Sequence, residues 1–151
     1  MRKEIEITIE EGRDAGKTFR VTEMAVSKLE KWSCRALIAL FGVNIPDDLA
    51  KLAKTSNSMA LASAVMRGLS GLDWKLAEPL YDELIEQVAI VPNMSHPHNV
   101  IKLCSQNLDN HIEELSTIMR LRAEVIALSL NFGEGGEGLT CRLTEILSPR
   151  A

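Results

Sequence analysis

The chain has 151 residues, 46% of them hydrophobic and 25% charged, with a formal net charge of −4 at pH 7. That length and balance predict one compact domain that buries its core without help from disulfides or metal. The acidic balance argues against nucleic acid, because neutralising phosphates needs a basic surface, and no apolar run reaches the roughly 18 residues of a membrane span.

Residues 3–10 alternate, with Ile5, Ile7 and Ile9 on one face and Glu4, Glu6, Thr8 and Glu10 on the other. This is the period of a half-buried strand and not the apolar block of a secretory leader. Residues 17–22 alternate again, and the Gly-containing stretch between the two runs predicts a β-hairpin. Its loop, Gly12-Arg13-Asp14-Ala15-Gly16-Lys17-Thr18, is close to a phosphate-binding loop. That motif has four residues between its glycines and a helix after Lys-Thr. Here three residues separate the glycines and a strand follows, so nucleotide binding is not expected.

Residues 22–41 predict a helix free of Gly and Pro. Thr22 suits the N-cap, Glu23 the positive end of the helix dipole, and Gly42 the stop. Ala25, Leu29, Trp32, Ala36 and Leu40 form one stripe, widened by Val26, Leu37 and Phe41. Burying the larger of these contributes ~2 kcal/mol each before entropy, which makes the helix a core element. Lys28, Lys31 and Arg35 fall on the opposite line, a solvated face or a partner-binding one.

A short helix is expected from Pro46 to about residue 54, with Asp47 and Asp48 in its first turn. Residues 59–69 are rich in Ala and Met and predict a buried helix that allows close contact. Residues 73–87 are amphipathic, with Ala77, Leu80, Leu84 and Val88 on one stripe and Leu76, Tyr81 and Ile85 beside it. Pro79 means that this helix starts near Lys75 or kinks. Residues 88–91 predict a short strand, 92–99 a loop and 100–103 a weaker strand. His96, His98, Cys104 and His111 invite a zinc reading, but only His96 and His98 have tight spacing and Pro97 restrains them.

Residues 108–131 predict the longest helix, with a stripe of Leu108, Ile112, Leu115, Met119, Ile126 and Leu130 and with Ala123 alongside. Arg122 falls on that stripe. Either its stem covers the core edge while its head reaches water, or it is a paired or interface arginine. Residues 133–138 are Gly and Glu alone, a run that loses too much entropy to order itself. A globular domain over 1–132 and a mobile tail over 133–151 are therefore expected. Cys34, Cys104 and Cys141 are odd in number and widely spaced, which points to a reducing compartment and no disulfide framework.

The fold class expected is α+β, mostly α-helical: an N-terminal β-hairpin packed on a bundle of about five helices, with room for a second short strand pair. No catalytic constellation stands out, and Asp82, Glu83 and Glu86 have the spacing of a solvated helix face. A binding protein without cofactor or metal is expected in preference to an enzyme.

Several short stretches, in order and spacing, resemble the tail assembly chaperones of long-tailed bacteriophages and prophages. They are Gly12-Arg13-Asp14-Ala15-Gly16-Lys17-Thr18-Phe19-Arg20-Val21-Thr22-Glu23-Met24, Glu30-Lys31-Trp32, Arg35-Ala36-Leu37, Ala77-Glu78-Pro79-Leu80, Ile90-Val91-Pro92 and Arg120-Leu121-Arg122-Ala123-Glu124-Val125. The resemblance covers about residues 4–132. It implies a non-enzymatic protein of the bacterial host cytoplasm that binds the tape-measure protein, a long and largely helical chain. Such a chaperone keeps its client soluble until tail-tube subunits assemble around it. The tail-tube protein is a further candidate partner, and self-association a candidate resting state. In many such phages a longer form also arises by ribosomal frameshifting, and the Gly/Glu run lies where such a junction would fall. A holder of amphipathic helices needs an apolar patch with a charged rim. Met24, Met59, Met66 and Met119 are candidates for the patch, since methionine adapts to irregular partners. Lys28, Lys31, Trp32, Arg35 and Arg122 are the expected partner-binding residues. The alternative is a structural completion or connector protein retained in the virion.

Overall fold

A computed structural model of the chain describes residues 1–41 and 58–130. The expected helix near 46–54, the Gly42 stop and the tail over 133–151 lie outside the described residues. Within them stand β1 (Glu4–Thr8), β2 (Thr18–Thr22), α1 (Val26–Phe41), α2 (Ser58–Ser70), α3 (Trp74–Ile85), β3 (Val88–Val91), β4 (Ile101–Lys102), α4 (Leu108–His111) and α5 (Leu115–Leu130). The fold is α+β and mostly helical, as the sequence predicts. Its strands form one antiparallel sheet in the order β1-β2-β3-β4.

The alternation of the hairpin decides which sheet face is buried. Ile7, Phe19 and Ile90 stand in register across three strands, and Ile5, Val21 and Val88 do the same two residues away. Phe19 and Val21 are fully buried. On the other face Glu6, Arg20, Ala89 and Lys102 are in register. There Arg20 bridges Glu6 at 2.8 Å and donates to the Pro97 carbonyl at 2.9 Å, which ties down the loop after β3. The second strand pair is therefore no separate hairpin, because β3 pairs with β2 as well as with β4.

Helix α5 packs on α2, α3 and β2, and α1 packs on α2 and α3. Helix α2 fits among its neighbours through small residues, with Ala62 and Ala64 buried. Pro79 lies inside α3, which begins at Trp74, one residue before the expected start. One backbone N–H hydrogen bond is lost there, and burial of Leu80, Tyr81, Leu84 and Ile85 holds the helix around it.

Three sequence expectations need correction. Thr22 is no N-cap: it ends β2, and its amide donates to the Gln87 carbonyl at 3.0 Å. Helix α1 starts at Val26, after the Met24 amide has bonded to the Ser129 hydroxyl at 3.0 Å. Leu29, Trp32 and Ala36 of its stripe are buried, but Val26 is 84% exposed. The side chains of Leu37, Leu40 and Phe41 lie outside the described set. Nor is 108–131 a single helix. It breaks at Ile112, whose backbone is extended (φ −123°, ψ 131°), and restarts at Leu115.

The cause of that break lies about a hundred residues earlier. The carboxylate of Asp14, in the hairpin loop, accepts the amides of Glu113 and Glu114 at 3.0 Å each. It also takes Lys17 Nζ at 2.8 Å and a hydrogen bond from Thr117. Lys17 in turn donates to the His111 carbonyl at 2.9 Å, closing the end of α4. Asp14 thus satisfies free amides at the start of α5 from outside the helix, and its charge sits at the positive end of the dipole. Burial pushes its pKa up, but Lys17, the two amides and Thr117 together outweigh burial and hold it at about 2. The loop needs a positive φ at both Gly12 and Gly16 (86° each), and a Cβ at Gly12 would run into the Glu114 carboxylate. The near-match to a phosphate loop is therefore a latch, with a carboxylate of the chain itself at the helix N-terminus.

Candidate functional site

The basic line of α1 is engaged with α3. Lys28 Nζ lies 3.0 Å from Glu86 Oε2, and Arg35 forms an ion pair with Glu83. Arg35 also donates through Nε to the Lys31 carbonyl at 3.3 Å. Lys31 is exposed. Beneath this line Trp32 is only 3% exposed, and its indole N–H donates to the Leu80 carbonyl at 3.1 Å. Trp32 thus supports the surface from inside and presents almost none of its ring. Solvent-exposed pairs of this kind contribute ~1 kcal/mol or less each, so Lys28 and Arg35 orient α1 on α3 more than they stabilise it.

Arg122 belongs to a different surface. Its guanidinium carbon lies 5.0 Å from the centre of the Tyr81 ring, a cation–π arrangement. Tyr81 and Glu83 are two residues apart on α3, hence nearly opposite at about 100° per residue. The five expected partner-binding residues therefore do not form one patch: Lys28, Lys31, Trp32 and Arg35 lie to one side of α3 and Arg122 to the other. Trp74 extends the Arg122 side, with its ring 6.1 Å from that of Tyr81. Burial lowers the Arg122 pKa, with Asp82 and Tyr81 opposing it, and the Nε atom is buried without a hydrogen-bond partner. Burial raises the Tyr81 pKa, and the Arg122 charge holds part of that rise back.

A test follows from this pair. Arg122→Met keeps most of the volume and removes the unpaired Nε, so stability should change by less than about 1 kcal/mol. The phenol should then titrate at still higher pH. Tyr81 is the one tyrosine of the chain, so ultraviolet titration of tyrosinate reads it directly. An unchanged midpoint would mean that the guanidinium does not act on the ring.

Beside Tyr81 a groove of about 620 Å³ opens between α2 and α5. Met66, Tyr81, Met119 and Ala123 give it mainly apolar walls, Ser63 and Ser70 line the α2 edge, and Arg67 and Arg120 stand at its rim. On α5, Met119 is 50% exposed, and Leu115, one turn earlier on the same side, is 70% exposed. The expected α5 stripe put both in the core. In the structure Leu121, Val125 and Ile126 carry that burial, because β2, α2 and α3 fix which face of the helix turns inward. Of the methionines that sequence reasoning offered for a partner patch, Met119 is exposed, whereas Met66 is largely buried in the groove wall and Met24 lies in the core; Tyr81, Arg67 and Arg120 were missed. The available signal was Arg67, the lone charge in α2.

Among the described residues, no three His, Cys, Asp or Glu side chains are grouped to hold a metal ion, and no helix is long and apolar enough to cross a membrane. Comparison of the chain with family models, curated proteins and solved structures returned no match.

Proposed function

We propose that this chain is a tail assembly chaperone of a long-tailed phage or prophage, which binds the tape-measure protein and keeps it soluble until the tail tube forms around it. The observation that carries the reading joins sequence to space: the scattered stretches that resemble that family meet at the joints of the fold. Phe19 of the first stretch pairs with Ile90 of another. Trp32 donates to Leu80. Arg122 lies over Tyr81, the residue directly after Leu80. The α2–α5 groove adds a surface of the kind that accepts an amphipathic helix, with adaptable methionines in its walls.

The test is co-expression with the tape-measure protein encoded in the same genome. The long protein should become soluble and co-purify with this chain, and mass spectrometry of purified particles should find the chain missing. A tape-measure protein that stays insoluble beside a folded chain overturns the reading. Recovery of the chain from particles would instead favour a structural completion or connector subunit.

A further inference from the structure

We infer that the α2–α5 groove seats a partner helix whose apolar stripe is flanked by carboxylates, and that the basic line of α1 is not the docking face. The identity of the natural partner rests on the function proposed above; the groove and its chemistry do not. Charge complementarity selects such a partner. Among the described residues, two arginines and no carboxylate line the groove. Among the described residues neither Arg67 nor Arg120 forms an ion pair, and both are exposed. On α1 two of the three cations are already paired with Glu83 and Glu86, so an acidic partner there would have to displace them. Arg120 also borders a second cleft, which carries Glu10, Glu11 and Glu114. The positive rim therefore gives way to a negative one toward the hairpin loop, and the carboxylates of the bound helix belong at the end near Arg67.

The apolar walls suit the same occupant. Met119 and, one turn away, Leu115 are exposed on one side of α5, at the spacing on which a helix presents i and i+4 anchors. Tyr81 lines the groove, and Arg122 rests on its ring.

The probe is a fluorescein-labelled peptide of about 20 residues, long enough to form a helix, with Leu and Ala on one face and Glu on both flanks. Its control carries Lys in place of Glu. Fluorescence anisotropy with the full chain should show binding of the Glu peptide at least about tenfold tighter than the Lys peptide. Arg67→Glu with Arg120→Glu should reverse that order, while Lys28→Glu, Lys31→Glu and Arg35→Glu together should leave it unchanged. All five residues are exposed or half-buried, and circular dichroism melts confirm that each variant is folded. Equal binding of the two peptides, no binding to the folded chain, or loss of binding on the α1 changes alone would each overturn the inference. So would groove methionine methyl signals that shift on dilution without peptide, which would make a second copy the occupant. The α2–α5 charge reversal is then repeated in the tape-measure co-expression. Soluble client with the reversed groove removes the groove and leaves the chaperone reading standing. Peptide binding without any client binding by the wild-type chain does the opposite.

Discussion

Asp14→Ala should cost the fold about 3 kcal/mol at neutral pH. The carboxylate is fully buried and serves the Glu113 and Glu114 amides, Lys17 and Thr117 at once. Alanine leaves two helix-terminal amides and an ammonium without it. The pH dependence separates this from a generic loss. The folded pKa of about 2 lies below the ordinary 3.8, so Asp14 stabilises the fold fully above about pH 4. That contribution is lost as pH falls from there through about 2. The gap corresponds to about 2 kcal/mol. Urea denaturation of wild type and variant at pH 7, 4 and 2.5 should show the difference between them shrinking as pH falls. A difference that stays constant would mean that the charge of Asp14 is not what caps α5. Hydrogen exchange should localise the loss to the first turn of α5 and to the hairpin loop.

The second large effect is at Trp32. Trp32→Ala should destabilise by about 3–5 kcal/mol, the range for deleting a buried aromatic side chain. Trp32→Phe should cost only about 1–2 kcal/mol, because the ring still fills the space and only the bond to the Leu80 carbonyl goes. That carbonyl lies inside α3, where the helix pattern supplies it another donor. Fluorescence gives an independent reading. Trp74 is 61% exposed and Trp32 is 3% exposed, so Trp32→Phe should leave only red-shifted, water-exposed emission. Blue-shifted emission surviving in that variant would contradict the burial described. If Trp32→Phe keeps its fold yet loses client binding, Trp32 acts at the partner surface after all. The burial predicts binding lost only in step with stability.

The elements that sequence alone determined are those in which neighbours along the chain settle the matter. The hairpin followed from two alternating runs around a Gly-containing loop, because period two commits one face to the core whatever covers it. Helix α2 and strand β3 followed from short apolar runs bounded by turn residues. The strand expected after the near-match to a phosphate loop is the one observed, Thr18–Thr22.

What only the tertiary structure decided depends on groups far apart in sequence. The helical period runs through Ile112 and Leu115 without a fault, so nothing local predicts the break; a carboxylate arriving from Asp14 imposes it. Thr22 has the side chain of an N-cap, but the sheet claims its backbone. Leu115 and Met119 lie on an apolar stripe yet face outward, because a helix face becomes core only where other elements cover it. The same holds for the candidate site. Lys28, Lys31 and Arg35 share a line by periodicity alone, whereas the pairing of two of them with α3, and the separation of Arg122 from all three, depend on how α1, α3 and α5 pack. Periodicity fixes which residues of an element share a face. Which faces meet, and which charges are left unpaired, is settled by contacts between residues that the chain keeps from 48 to 100 positions apart.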